Sequence, residues 1–139
     1  MRTLTKRLIA MAAVGLAAVG TAIAAMPPGV YEAQLEAAPI RLVAEVEEVT
    51  FRDEGGGLGR CEIAVRVSDV EKDFTGRIAS GATLVATTPC LVRNPTAEIP
   101  VGGTIWSQPE TLAQAERLEL ILNPDLSVAA QGDGIRILD

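Results

Sequence analysis

Histidine is absent from this chain, and aromatic residues are scarce: one Trp, one Tyr and two Phe among 139 residues. Without histidine the chain lacks the side chain that titrates nearest neutral pH, and with it the usual base for a Cys or Ser nucleophile. Zinc would be left with thiolates and carboxylates, an uncommon ligand set. There are only two cysteines, and they are not spaced as Cys-x-x-Cys, so a thioredoxin-like redox couple has no motif. Basic residues are also in deficit, 12 Lys and Arg against 18 Asp and Glu, for a net charge of −6. Such a balance repels phosphate backbones and anionic lipid surfaces, which disfavours nucleic-acid binding. Four aromatics are too few for a groove that stacks successive bases, and sugar recognition by stacked aromatics is short of material for the same reason.

The first residues carry the chain's longest uncharged run. Arg2, Lys6 and Arg7 form a positive start, Leu8 to Ala25 is rich in Ala, Val and Gly, and the run closes on Ala22-Ile23-Ala24-Ala25 before Met26-Pro27-Pro28. This three-part pattern predicts a secretory signal over residues 1–25, cut after Ala24 or Ala25. The rival reading is an N-terminal membrane anchor, but the run sits at the low end of the roughly 17–25 apolar residues a bilayer needs. No cysteine lies near the cut for lipidation, and no Arg-Arg pair marks twin-arginine export. Once Arg2, Lys6 and Arg7 are removed, nine basic residues face eighteen acidic ones. The expected location is therefore periplasmic or secreted, with no stable membrane insertion after cleavage.

Export places Cys61 and Cys90 in an oxidising compartment, where an even count in a small domain signals a disulfide. With two cysteines the pairing is unambiguous. On the chain-entropy account, closing the loop between them stabilises the fold by roughly 3–4 kcal/mol.

Period-two patterns dominate the remaining sequence. Ile40, Leu42, Ala44 and Val46 alternate with polar residues, and the phase then breaks at Glu47-Glu48, after which Val49 and Phe51 carry the apolar face. That break predicts a bulge bending a long first strand. "RDEGGGLGR" (52–60) reads as a loose hairpin tip; it has neither a P-loop nor a dinucleotide-binding spacing. "GRCEIAVRVSDVEKDF" (59–74) reads as a second, half-buried strand with Cys61, Ile63, Val65 and Val67 on one face. "SDVEKDFTGRIASG" (68–81) reads as a polar connection with Val70 and Phe74 tucked down. The third strand, 81–90, puts Ala82, Leu84, Ala86 and Cys90 on a shared face, with Pro89 marking an edge or an end. Loop 91–103 precedes a short helix within 107–118, where Ser107 and Glu110 have capping-box spacing. "RLELILN" (117–123), "LSVAA" (126–130) and "IRIL" (135–138) read as further short strands separated by Asn-Pro-Asp and Gly-Asp-Gly turns.

The expected fold is thus mainly β, a small OB-like barrel of five or six strands with one short helix and one disulfide. The expected organisation is a signal (1–25), a flexible N-terminal arm (26–38) and a single barrel domain (39–139). "GRCEIAVRVSDV", "LVATTPC", "IPVGGTIW" and "LELILNPD", within residues 59–125, resemble uncharacterised exported bacterial proteins with a small OB-like barrel. That resemblance implies no known activity. There is a looser similarity to the netrin and tissue-inhibitor type of secreted OB barrel. The N-terminal Cys that such inhibitors insert into a metalloprotease is missing here, so no inhibitory mechanism carries over.

Candidates for chemistry are few. The carboxylates fall in groups: Glu45, Glu47 and Glu48; Asp53 and Glu54; Asp69, Glu71 and Asp73; Asp125 and Asp133. Solvated turns and strand faces account for all of them. Calcium is an alternative for "SDVEKD" and "NPDLSVAAQGDG", although neither follows the EF-hand pattern. Trp106 has two readings, packing under the barrel end or a partner hot spot. No catalytic residue, metal or cofactor is expected. The sequence points to an exported, non-catalytic interaction module for an unknown protein or peptide. The alternatives are a carboxylate-dependent enzyme and a small envelope-associated structural protein.

Overall fold

Alternation of apolar and polar residues builds two sixteen-residue strands that dominate the molecule: β1 (Ile40–Gly55) and β2 (Leu58–Asp73). The computed structural model describes residues 27–138; the expected signal lies outside them. Helix α1 (Pro28–Ala37) precedes β1. β3 (Thr83–Leu91), α2 (Pro109–Gln114), β4 (Arg117–Leu122) and β5 (Ile135–Ile137) follow β2. Residues 28–100 and 104–139 group as one unit by their contacts, and the account below is of that unit. All five strands run antiparallel in a single sheet of order β3-β2-β1-β4-β5.

The core lies on one face. Ile40, Leu42 and Ala44 of β1, Cys61, Ile63, Val65 and Val67 of β2, Ala86 and Cys90 of β3, and Leu118, Leu120 and Leu122 of β4 are all buried in one cluster. Each large aliphatic side chain placed there contributes about 1.5–3 kcal/mol. Leu112 of α2 and Ala115, the residue that caps its C-terminus, close the cluster from the β3–β4 connection. The phase break read from the sequence is a bulge: Val46 pairs with Val65 and Glu48 with Ala64, leaving Glu47 as the extra residue. Only Ile40–Glu45, before the bulge, also pairs with β4.

Cys61 and Cys90 are bonded, with Cα atoms 5.5 Å apart. Cys90 pairs across the ladder with Gly59 and Cys61 with Thr88, so the bond runs diagonally between neighbouring strands on the core face. Gly59 has its own constraint. A Cβ there would lie 1.9 Å from the carbonyl oxygen of Arg52. The β1–β2 tip is tighter than its composition implies. Gly55, Gly56 and Gly57 all have positive φ, and the Asp53 carboxylate accepts from the amides of Gly55 (2.9 Å) and Gly57 (3.1 Å). The amides of Val92, Thr96 and Ala97 then donate to carbonyls of Gly57 and Gly56, which fixes the tip to the following loop.

The closed barrel expected from the sequence is not formed. β3 and β5 are the two ends of the sheet, and β5 has only three residues. The predicted strand 126–130 makes single bridges instead of a ladder, Ser127 to Thr87 and Val128 to Leu122. Its backbone explains why: Leu126, Ala130 and Gln131 have φ of 69°, 55° and 55°, values outside any strand conformation.

Among the described residues there are two α-helices where one was expected. Residues 26–38, expected as an arm, contain α1, whose Leu35 packs on Ala38, Ile121 and Ala129. The predicted polar connection from residue 68 begins six residues too early, since β2 continues to Asp73. Val70 does pack on the core, but Phe74 is 80% exposed with the Lys72 ammonium 4.9 Å from its ring centre. The capping box is not made either. Gln108 is the N-cap of α2 and has no side-chain cap bond, its extended backbone being what a following proline demands. No helix among the described residues is long and apolar enough to cross a membrane.

Candidate functional site

β3 is the last strand of the ladder, yet its outer side is covered. Pro89 has no amide to offer, and its carbonyl accepts from Ser107 N (3.0 Å), while Leu91 N donates to Ser107 O (2.9 Å). Two residues before Pro89, Thr87 N donates to Leu126 O (3.1 Å) and Thr87 O accepts from Val128 N (2.8 Å). Two passages of chain, one around Ser107 and one around Ser127, therefore run parallel to β3.

A cleft of about 520 Å³ is lined by Thr87, Thr88 and Pro89 together with residues from both passages, including Thr104, Trp106, Ser127 and Val128. Glu54 of β1, Gly59 and Arg60 of β2, and Asn123, Gln131 and Gly132 complete its lining. That volume falls within the roughly 300–1,000 Å³ usual for small-molecule sites. A larger hollow of about 640 Å³ next to α1 has neither an aromatic nor a charged side chain among its lining residues.

Two local devices order the 123–134 side of the cleft. The first is an Asn-Pro-Asp turn. The Asp125 carboxylate accepts from Ser127 N (3.0 Å) and Ser127 Oγ (2.6 Å), and Asn123 Nδ2 donates to Ser127 Oγ (3.0 Å). The bonds from the Ser127 hydroxyl and amide hold the Asp125 carboxyl below its ordinary value of 3.8. The second is a left-handed turn. Ala130, Gln131 and Gly132 have φ of 55°, 55° and 101° in succession. For a residue with a side chain this conformation costs roughly 1–2 kcal/mol. Gln131 O accepts from Ile105 N (2.9 Å). A Cβ on Gly132 would lie 2.3 Å from Ile105 O, so a glycine is required where the turn meets the Trp106 passage.

The remaining lining groups have spare hydrogen-bonding capacity. Arg60 stands directly opposite Arg52 across the ladder, an unfavourable like-charge pair. Glu62 neutralises Arg52, whereas Arg60 has no ion-pair partner among the described residues, and neither has Glu54. Trp106 is half-buried, and its indole N–H makes no hydrogen bond among the described residues. Thr88 is 2% exposed and its Oγ1 is buried without a partner, a state that few buried hydroxyls adopt.

Of the residues singled out from sequence, the structure brings Cys61 and Cys90 together in the core and places Trp106 and Glu54 in the cleft. The acidic groups are not brought together: among the described residues no cluster of three or more His, Cys, Asp or Glu gathers to hold a metal. Asp73 serves its own turn. Its carboxylate accepts from the Thr75 hydroxyl and amide and from Ile78 N, and these bonds, that from the Thr75 hydroxyl foremost, hold it below its ordinary value. Arg60, Gln131, Thr87 and Thr104 were missed by sequence reasoning, because they come from separate segments and share no motif.

The free edge of β5 is a weaker candidate. It is three residues long, and its middle residue, Arg136, is paired with Glu119 (3.2 Å). Shortness and charge are the usual protections of an edge strand.

Compared with protein-family models, curated proteins and solved structures, the chain matches none.

Proposed function

We propose that the protein is an exported, non-catalytic binding module and that the Trp106 cleft is its recognition site. One observation carries this reading: the cleft gathers a half-buried indole and several polar side chains whose hydrogen-bonding groups have no partner among the described residues. Arg60, Glu54 and Gln131 are exposed and bond to water in the free protein, Thr87, Thr104 and Trp106 are half-buried, and the buried Thr88 hydroxyl lacks a partner among the described residues. An unmet buried polar group is costly, and a ligand in the cleft would supply bonds to all of them. Among the described residues Glu54 is the sole carboxylate in the lining, whereas glycoside hydrolysis needs two, roughly 5–9 Å apart across a cleft. That supports binding over hydrolysis. The disulfide supports an oxidising compartment, and with it the reading of residues 1–25 as a secretion signal. The single bridges that tie Ser127 to β3 and Val128 to β4 support reading the sheet as a partly open OB-type barrel.

Equilibrium dialysis of the processed protein against a small-molecule extract of its own cell envelope tests the proposal. The protein should retain a compound that a Trp106→Ala variant of equal thermal stability does not. Equal retention by both proteins, or retention by neither, would refute it. Sequencing the N-terminus of the protein recovered from cells tests export, and an intact Met1 would count against it.

A further inference from the structure

We infer that the ligand of the Trp106 cleft is a saccharide, one ring of which lies on the indole face. The inference rests on the cleft being the recognition site and names the chemistry it accepts.

A pyranose ring combines an apolar face of C–H groups with a rim of hydroxyls, each both a donor and an acceptor. The cleft offers the complement. Trp106 supplies a flat apolar surface, and around it stand groups of mixed hydrogen-bonding sense. The Arg60 guanidinium is a planar fork of donors, the Glu54 carboxylate a planar pair of acceptors, and the Gln131 amide offers one of each kind. Planar forks of this sort can span two adjacent hydroxyls. The hydroxyls of Thr87 and Thr104 both donate and accept. None of these side chains has a hydrogen-bond partner among the described residues.

Other ligand classes fit less well. An anion would meet Arg60 but also Glu54 in the same cleft, on a chain of net charge −6. A wholly apolar ligand would strip water from both charges and from Gln131 and return no hydrogen bonds. A peptide added as a strand along β3 would need free backbone groups. Those of Thr87, Pro89 and Leu91 on that side are already bonded to the Ser107 and Ser127 passages. The shortage of aromatics excludes an extended stacking platform, but a single ring needs a single indole.

The left-handed turn adds a separate argument. Gln131 is a non-glycine residue held at positive φ, with its carbonyl fixed by Ile105 N and its side chain at the cleft. Strain of this kind persists where the surroundings over-determine it, and functional sites are where it collects. Here it fixes the backbone of Gln131, and so the direction in which its side chain leaves the chain.

The test is a glycan array covering hexose, N-acetylhexosamine, uronic acid and deoxyhexose oligomers, probed with the processed, oxidised protein. Hits are titrated by calorimetry and by the emission of Trp106, the chain's only tryptophan. At least one oligosaccharide should bind saturably and change that emission. Trp106→Ala should weaken binding by about tenfold or more, the loss expected of an aromatic anchor. Trp106→Phe, which keeps an apolar ring, should retain part of the affinity, and Gln131→Gly should lose affinity without losing stability. Trialanine and inorganic phosphate serve as the contrasting probes. An array without a hit overturns the inference, as does a sugar that binds all three variants as well as the parent. Saturable binding of trialanine or phosphate at Trp106, with no sugar bound, overturns the saccharide assignment and leaves the cleft standing as a recognition site. Failure of the cleft itself would be read independently, from the dialysis experiment.

Discussion

Between residues 40 and 91 the chain alternates in and out over long paired strands. Its two reversals are a glycine tip held by Asp53 and a connection held by Asp73. Between residues 123 and 138 it makes one three-residue strand, single bridges, and three non-glycine residues at positive φ. The first region obeys its local preferences and is clamped by a covalent bond. The second departs from them and is held by the groups it packs against. Regular alternation builds the core, and the irregular segment supplies Asn123, Ser127 and Gln131 to the cleft. Natural chains violate local rules mainly where a site requires it, and here the violations fall on the cleft wall.

The comparison breaks most severely if the clamp is removed. Cys61→Ser with Cys90→Ser should lower unfolding free energy by about 3–4 kcal/mol, measured by urea titration against the oxidised parent. A loss near zero would mean that the long strands need no clamp. Next in size is Gly132→Ala. Its methyl would meet Ile105 O at positive φ, and the expected cost is about 1–3 kcal/mol. Gln131→Gly should act in the opposite direction. It relieves a left-handed side chain but loosens the unfolded chain, for a net gain of up to about 1 kcal/mol by thermal melting. An unchanged or lower melting temperature would show that the second region is not strained.

The smallest effect is at low pH and separates the two turns. Asp73 and Asp125 are both held below the ordinary value of 3.8 by hydrogen bonds to their charged forms. A depressed carboxylate stabilises the fold above its ordinary value and loses that contribution as pH falls through the depressed one. Stability should therefore decline as pH drops below about 4. Asp73→Asn and Asp125→Asn should each flatten that decline, Asp73→Asn through the β2–β3 connection and Asp125→Asn through the cleft wall. An acid limb unchanged in both variants would place the loss elsewhere.

Legibility from sequence divides along the same line. The inward face of β2, the bulge at Glu47 and the Cys61–Cys90 pairing were readable because period-two alternation and a two-cysteine count leave few choices. The "LSVAA" segment misled because Leu126 and Ala130 occupy conformations that glycine would have flagged. α1 was hidden because only Leu35 anchors it through a buried cluster, so no apolar stripe marks it. The cleft was illegible because its lining is drawn from the two long strands, β3 and two later passages, and of it only Trp106 and Glu54 were singled out, with nothing in their spacing to link them. The extent of β2, read as 59–74 and found as Leu58–Asp73, was legible; its polar end also reads as the start of the connection, although pairing with β1 continues through Arg41–Lys72 and Ile40–Asp73.

The connection between β2 and β3 lies inside the loop that the disulfide closes, and its Gly76, Arg77 and Gly81 are exposed. Severing the main chain there, as trypsin would after Arg77, leaves the two fragments joined through sulfur. The nicked protein should migrate as one species without reductant and as two with it. Gly76 and Gly81 have open space where a side chain would sit, so new chain termini or an inserted reporter can be placed at this point while the sheet keeps its covalent continuity.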